Sequence, residues 1–368
     1  MQSASIGKGG VIVDDCRKGV ISNKELITQT NDRDLYIDAI RVFAICMVIM
    51  LHCVCDFYSD MFNSEKISWW IMGYINETGR IGVPLFFMIS GFLLLNSSTA
   101  SDAARFYKRR FRKILVPFIL CDLFYYIYYV IINEKPPAVS LFLKELIDNG
   151  SAYHLWFIYT LGLLYLFVPY IKIILERVDL KMLVLFLLLV LFQSTIKPFL
   201  NIVLDGRATI HLADDGIVGY MGYMILGYIL GTYKIKKAAR YCILCIGISA
   251  ISIFPLINSL IAYKTWSMPF NGGYMINHYA EAAMIFVFFK NMDYKTFGVK
   301  LKALADLCMS VYFVHVFVLE RIKAGLAHIA NLSGYLYYLI LVGGTVIASF
   351  SIAYLLSILK KYFRRIKE

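Results

Sequence analysis

Apolar runs separated by short polar or basic segments recur along almost the whole chain. Ten stand out, at 38–57, 81–96, 114–132, 154–171, 181–200, 217–233, 241–262, 274–290, 306–322 and 335–359. Each is near the roughly 20 residues that an α-helix needs to cross a bilayer core, so the pattern predicts an all-α membrane bundle of about ten transmembrane helices. The run at 81–96 is the short one: its sixteen residues reach about 24 Å at 1.5 Å per residue, against about 30 Å of hydrocarbon. Either the bilayer thins there, or Arg80 is drawn into the protein, where it needs an anionic partner or a wet cavity. Pro84 stands near one end of that run, where a missing amide donor costs least. Ser90-Gly91 is a small pair that admits another helix or a ligand close to the backbone.

Lysine and arginine set the orientation. They gather at 105–113, 172–181, 234–240, 295–302 and 360–367, while the alternate segments, 56–77 and 205–215 among them, read as outer loops rich in Asp, Glu, Asn and aromatic residues. The positive-inside rule then puts both termini in the cytoplasm. Residues 1–35 carry mixed charge and no apolar core ending in small residues, so they read as a disordered cytoplasmic tail rather than a cleaved signal peptide. A single transmembrane domain follows at 36–368. Composition agrees: 60% of the 368 residues are hydrophobic and 17% charged, with a mean hydropathy of +0.66, far more apolar than a soluble domain. The net charge of +12 is accounted for by the inside loops, so the expected partner is the lipid bilayer and no nucleic acid is needed.

Chemistry concentrates in the first run, which carries Asp38, Arg41 and His52. Eleven positions separate Arg41 from His52, and at about 100° per residue they return to within roughly 20° of one direction. Asp38 falls on the same face. One stripe of one helix thus carries a carboxylate and a guanidinium near one membrane surface and an imidazole roughly 16 Å further along. Helix-end charges that snorkel, with a packed histidine, are the plain alternative. An ionisable residue inside a membrane is nonetheless a functional-site candidate by default.

Elsewhere the signals are weaker. His154 opens a run at the outer surface beside Trp156, and His315 lies deep in the ninth run beside Tyr312, where a hydrogen-bonded packing histidine fits as well as a ligand-binding one. His278 and Glu281 share a helix face, which suits a metal or a proton relay, but no third ligand is placed and no metal is expected. His211, Asp214 and Asp215 lie in an outer loop. Most of the eight cysteines lie in or beside apolar runs, and Cys242-x-x-Cys245 has no partner pair, so neither zinc nor a disulfide framework is expected.

Taken in chain order, several of these stretches resemble the acyltransferase family 3 membrane proteins. GRIGVPLFFMISGF at 79–92 is similar to a signature containing FFxxSG, and Asp38, Arg41 and His52 resemble the family's Asp-x-x-Arg opening and Arg-x10-His pattern. RRFRKILVP at 109–117 resembles its basic RxxR element, registered either as Arg109-x-x-Arg112 or as Arg110-x-x-Lys113. HLWF at 154–157 resembles its histidine and tryptophan pair, and YMGYMILGYILG at 220–231 and SVYFVH at 310–315 resemble its sixth and ninth helices. The similarity runs from about residue 36 to the C-terminus. Within the family, the form with YHLWF and VPLFFMISG is most similar to the enterobacterial common antigen O-acetyltransferases.

The resemblance implies transfer of an acyl group, usually acetyl from cytoplasmic acetyl-CoA, to a hydroxyl of a cell-envelope glycan or its lipid-linked precursor at a bacterial inner membrane. Arg109, Arg110, Arg112 and Lys113 then offer charged donors to the CoA phosphates, although a basic run here also serves as a positive-inside anchor. His52 takes the hydroxyl proton as general base or receives the acyl group as nucleophile. Arg41, oriented by Asp38, binds a phosphate or the thioester end of CoA, and Arg80 and Ser90 stabilise an oxyanion or bind acceptor. His154, Trp156 and His315 complete the substrate-binding set. A permease or exporter of a small polar solute or glycan is the alternative from another class, though the paired, interrupted repeats common in transporters are not found.

Overall fold

All ten apolar runs lie on helices, as expected where a chain in lipid must satisfy its own backbone hydrogen bonds. The structure, a computed structural model, describes residues 34–61, 66–134, 136–148, 150–203, 215–265, 272–294, 298–329 and 334–367. Among the described residues there is no strand, and twelve α-helices follow in chain order. They are α1 (Leu35–Met61), α2 (Lys66–Gly79), α3 (Gly82–Leu95), α4 (Ala103–Ile132), α5 (Val139–Ile147), α6 (Trp156–Leu175), α7 (Leu180–Val203), α8 (Asp215–Thr232), α9 (Lys237–Thr265), α10 (Ile276–Lys290), α11 (Gly298–Leu326) and α12 (Gly334–Lys367). The expected tail up to residue 33, with His211 and Asp214, lies outside the described residues.

Among the described residues, seven segments are long and apolar enough to cross a membrane: Leu35–Val54, Trp70–Leu95, Ala103–Ile132, Tyr153–Leu175, Lys237–Ile261, Gly298–Leu326 and Leu336–Tyr362. Shorter apolar stretches, Leu180–Ile196 and Gly216–Thr232, lie on α7 and α8. With its 15 residues, α10 also falls below the roughly 20 of a full crossing.

One expectation is overturned. Much of 56–77 is helical rather than an outer loop, because Lys66–Gly79 forms α2 and runs through a turn at Arg80 and Ile81 into α3. Together they make the 26-residue crossing Trp70–Leu95, so the short run at 81–96 needs no thinned bilayer. Asn76, Glu77 and Thr78 lower the local hydropathy, but all three are buried within the protein instead of facing lipid.

The axis of the bundle is α1. It packs against α2, α3, α10, α11 and α12, and 56% of its apolar window is buried, close to the 61% of the α2–α3 stretch and well above the 22% of α4 and α12. Ile37, Ile40, Ala44, Ile45, Val48, Ile49 and Cys53 are all buried around it. The outer helices turn large apolar side chains outward instead, Leu120 on α4, Leu189 on α7, Ile246 on α9 and Ile347 on α12, an apolar belt of the kind that lipid covers.

Between α3 and α8 the contact is backbone to backbone. A Cβ on Gly91 would run into the carbonyl of Met224, and one on Gly227 into the carbonyl of Met88. Gly91 of the Ser90-Gly91 pair therefore serves helix packing, as small residues do in membranes. At the same end of the bundle, Lys290 of α10 donates to the carbonyls of Leu230 at 2.6 Å and Gly231 at 2.9 Å, acceptors that α8 leaves open at its C-terminus. Tyr36 of α1 meets the rings of Phe92 and Phe286 there, 6.0 and 5.9 Å away between centroids, so this end also holds the start of α1.

Candidate active site

Three histidines from distant parts of the chain meet beside α1. The ring of His52 lies 5.3 Å from that of His315 on α11, which lies 5.0 Å from that of His154. His154 and His315 are both buried. Tyr153 packs its ring 5.1 Å from His52. Arg80 joins them, within electrostatic range of His52, and its position follows from the glycines on either side. A Cβ on Gly79 would stand 2.9 Å from the Cβ of Leu51, and one on Gly82 only 2.7 Å from the carbonyl oxygen of Ala44. With hydrogen in those places, the turn between α2 and α3 lies flat against α1, one residue from His52.

The other two imidazoles are set by α4. Asp122, buried on that helix, accepts the amide of Ser151 at 2.6 Å. It thereby holds the turn at Gly150, whose φ of +91° favours glycine, and that turn feeds the short 3₁₀ segment Tyr153–Leu155 carrying His154. One helical turn on, Tyr125 donates its hydroxyl to the carbonyl of Phe313 and accepts the amide of Phe317, both at 3.0 Å. Those two backbone groups are one turn apart on α11 and bracket His315. His315 itself directs Nδ1 to the carbonyl of Tyr312 at 2.6 Å, and the Tyr312 hydroxyl donates to the carbonyl of His154. Asp122 and Tyr125 escaped the sequence reading, although an aspartate within an apolar run is a usable signal.

Toward the start of α1 the chemistry changes sign. Arg41 pairs with Asp38 at 2.8 Å, its side chain about a quarter exposed and the carboxylate fully buried. Ser90 of α3 and Tyr165 of α6 share a hydroxyl contact of 3.2 Å, and both Arg41 and Arg110 lie within electrostatic range of Tyr165. Arg110 is half-buried and lies 5.8 Å from the centre of the Phe106 ring. Arg109, Arg112 and Lys113 are exposed. Of the four basic residues singled out in the sequence, the structure thus turns Arg110 inward. Tyr165 is a further member that the sequence did not reveal, since tyrosine is common in membrane helices.

Trp156 stands apart from the histidines. Its ring packs 5.8 Å from Tyr220, which stacks on Phe87 at 4.6 Å and is within electrostatic range of Arg80.

A third polar group is wholly buried. His278 Nδ1 meets Glu281 at 2.9 Å and its Nε2 faces Glu77 at 3.9 Å. Arg80 lies within electrostatic range of Glu77 as it does of His52. The shared face of His278 and Glu281 is therefore a real contact. Among the described residues, no group of three or more His, Cys, Asp or Glu is arranged to hold a metal ion, and Cys46, Cys53, Cys121, Cys242, Cys245 and Cys308 are free thiols.

Imidazoles and Arg80 gathered toward one end of α1, with Arg41, Arg110 and hydroxyls toward the other, belong to a multi-pass membrane protein that carries titratable and cationic groups inside its bundle. The family model described as the acyltransferase domain, acyltransferase 3, matches residues 34–354. The chain belongs to that family, and is a membrane acyltransferase by it. No curated protein and no solved structure matches the chain.

Proposed function

We propose that the protein is an O-acetyltransferase of a bacterial inner membrane, carrying acetyl from cytoplasmic acetyl-CoA to a hydroxyl of a cell-surface polysaccharide or its lipid-linked precursor. In this reading ten helices cross the bilayer and both termini are cytoplasmic, as the distribution of Lys and Arg favours. The YHLWF and VPLFFMISG stretches resemble those of the enterobacterial common antigen O-acetyltransferases, which supports an envelope-glycan acceptor. The observation that carries the proposal is the two-ended α1: Arg41 with Asp38 at one end and His52 among imidazoles at the other.

Donor phosphates, or the thioester end of CoA, bind Arg41 and Arg110, with Arg109, Arg112 and Lys113 drawing the anion to the surface. Ser90 and Tyr165 line the way between the two ends. His52 removes the hydroxyl proton or accepts the acyl group, and Arg80 stabilises the oxyanion that develops on the acyl carbonyl. His154, Trp156 and His315 bind the acceptor.

The test is transfer of label from acetyl-CoA to alkali-labile glycan esters by membranes holding the wild type or His52→Ala at matched abundance. Esters from the wild type alone support the reading. Absence of esters from both, with protein-dependent solute flux, would replace the acetyltransferase with a permease.

A further inference from the structure

We propose that His315 is a second catalytic imidazole, whose Nε2 takes the proton from the acceptor hydroxyl. The inference rests on the acetyltransferase reading and assigns a role within it. Its basis is the hydrogen bonding of one ring. Nδ1 lies 2.6 Å from the carbonyl oxygen of Tyr312, and a carbonyl only accepts, so Nδ1 carries the hydrogen. In the neutral ring the lone pair then sits on Nε2, which is buried and has no hydrogen-bond partner within the protein. A buried nitrogen acceptor without a donor carries a desolvation cost, and the ring beside it, at 5.3 Å between centroids, is that of His52.

The surroundings hold this ring in place. Tyr125 fixes the backbone of α11 at Phe313 and Phe317, on both sides of His315. Tyr312 is anchored through its hydroxyl to the carbonyl of His154. His154 differs, because neither of its ring nitrogens has a partner that sets its tautomer. A base must keep its lone pair aimed, which favours His315 over His154.

The step balances as follows. The hydroxyl oxygen forms a bond to the acyl carbonyl carbon while its proton passes to Nε2 of His315. The bond from that carbon to its leaving atom breaks, and that atom takes the electron pair and then the proton from His315. The leaving atom is the His52 nitrogen: with His315 as the base, His52 is the residue that has first received the acyl group, the CoA sulfur having left with the electron pair and taken the proton that His52 gave up. Arg80 and Lys323, both within electrostatic range of His52, favour the negative charge that develops on the carbonyl oxygen.

The test uses the full chain in proteoliposomes with labelled acetyl-CoA and extracted envelope glycans. In His315→Asn the amide nitrogen replaces Nδ1 toward the Tyr312 carbonyl and nothing replaces Nε2. The expected result is a fall in kcat of about 100-fold or more, the scale of a lost general base, with donor KM within about threefold of wild type. His315→Ala is expected to recover activity with added imidazoles, faster with more basic ones. Activity of His315→Asn within about fivefold of wild type, or rescue that ignores imidazole basicity, overturns the proposal, as does full activity of His315→Asn alongside a dead His154→Asn. Esters from the wild type keep the acetyltransferase reading in each of these cases. No ester from the wild type removes both.

Discussion

Ser90 and Tyr165 bring their hydroxyls to 3.2 Å across the contact of α3 and α6, although 75 positions separate them. Both Arg41 and Arg110 lie within electrostatic range of that phenol, which links the hydroxyl pair to the cations proposed to hold the donor. A hydrogen bond between neutral groups contributes about 0.5–1.5 kcal/mol. Tyr165→Phe is therefore expected to lower kcat/KM for the acyl donor about fivefold with the fold retained. Ser90→Ala should act similarly, and the double variant should lose little more than either alone, as two partners of one bond do. Steady-state transfer with labelled donor reads all three.

The close contact of Gly91 with Met224 is the more sensitive to change in packing. A methyl on Gly91 meets backbone, which has no rotamer to yield, and overpacking typically costs about 1–3 kcal/mol. Gly91→Ala and Gly227→Ala should each lower the melting temperature in detergent, measured by loss of the monodisperse peak after heating. Gly162→Ala supplies the contrast. A Cβ there meets nothing within 4 Å, and alanine is favoured over glycine within a helix by about 1 kcal/mol, so its Tm should hold or rise.

How much of this was legible follows from what each signal depends on. The stripe of Asp38, Arg41 and His52 rests on helical periodicity within one run, and the Asp38 to Arg41 contact of 2.8 Å agrees with it. The meeting of His52, His154 and His315 depends on which helices pack together, information that periodicity does not hold. Helix α2 escaped notice for a different reason. Hydropathy treats Asn76, Glu77 and Thr78 as water-facing, whereas they face other helices. The two registers of the basic element were equivalent in the sequence, and only the direction in which α4 packs separates Arg110 from its neighbours.

Asp122 offers a test of how the turn before α6 is held. Its Oδ1 accepts the Ser151 amide at 2.6 Å, and removing one partner of a buried hydrogen bond costs about 1–3 kcal/mol. Asp122→Ala is expected to slow ester formation about tenfold by loosening His154, while donor KM stays unchanged. Asp122→Asn keeps an acceptor oxygen and should recover most of the rate. Equal damage from both substitutions would show that the carboxylate does something other than hold the turn.

Arg110 separates two readings of the basic run. If the cluster serves mainly as a positive-inside anchor, charge count matters and neutralising any one arginine has a similar small effect. If the donor phosphate is held at the site, the inward residue dominates, because Arg110 is half-buried and acts on Tyr165 while Arg109 and Arg112 are exposed. Arg110→Gln is then expected to raise donor KM about tenfold, equivalent to about 1.4 kcal/mol. Arg109→Gln and Arg112→Gln should each stay within about threefold. Arg110→Lys should recover only part of the loss, since an ammonium keeps the charge but not the bidentate fork. Donor KM measured at two ionic strengths completes the argument: the surface residues contribute a component that salt screens, whereas the difference between Arg110→Gln and Arg110→Lys should persist.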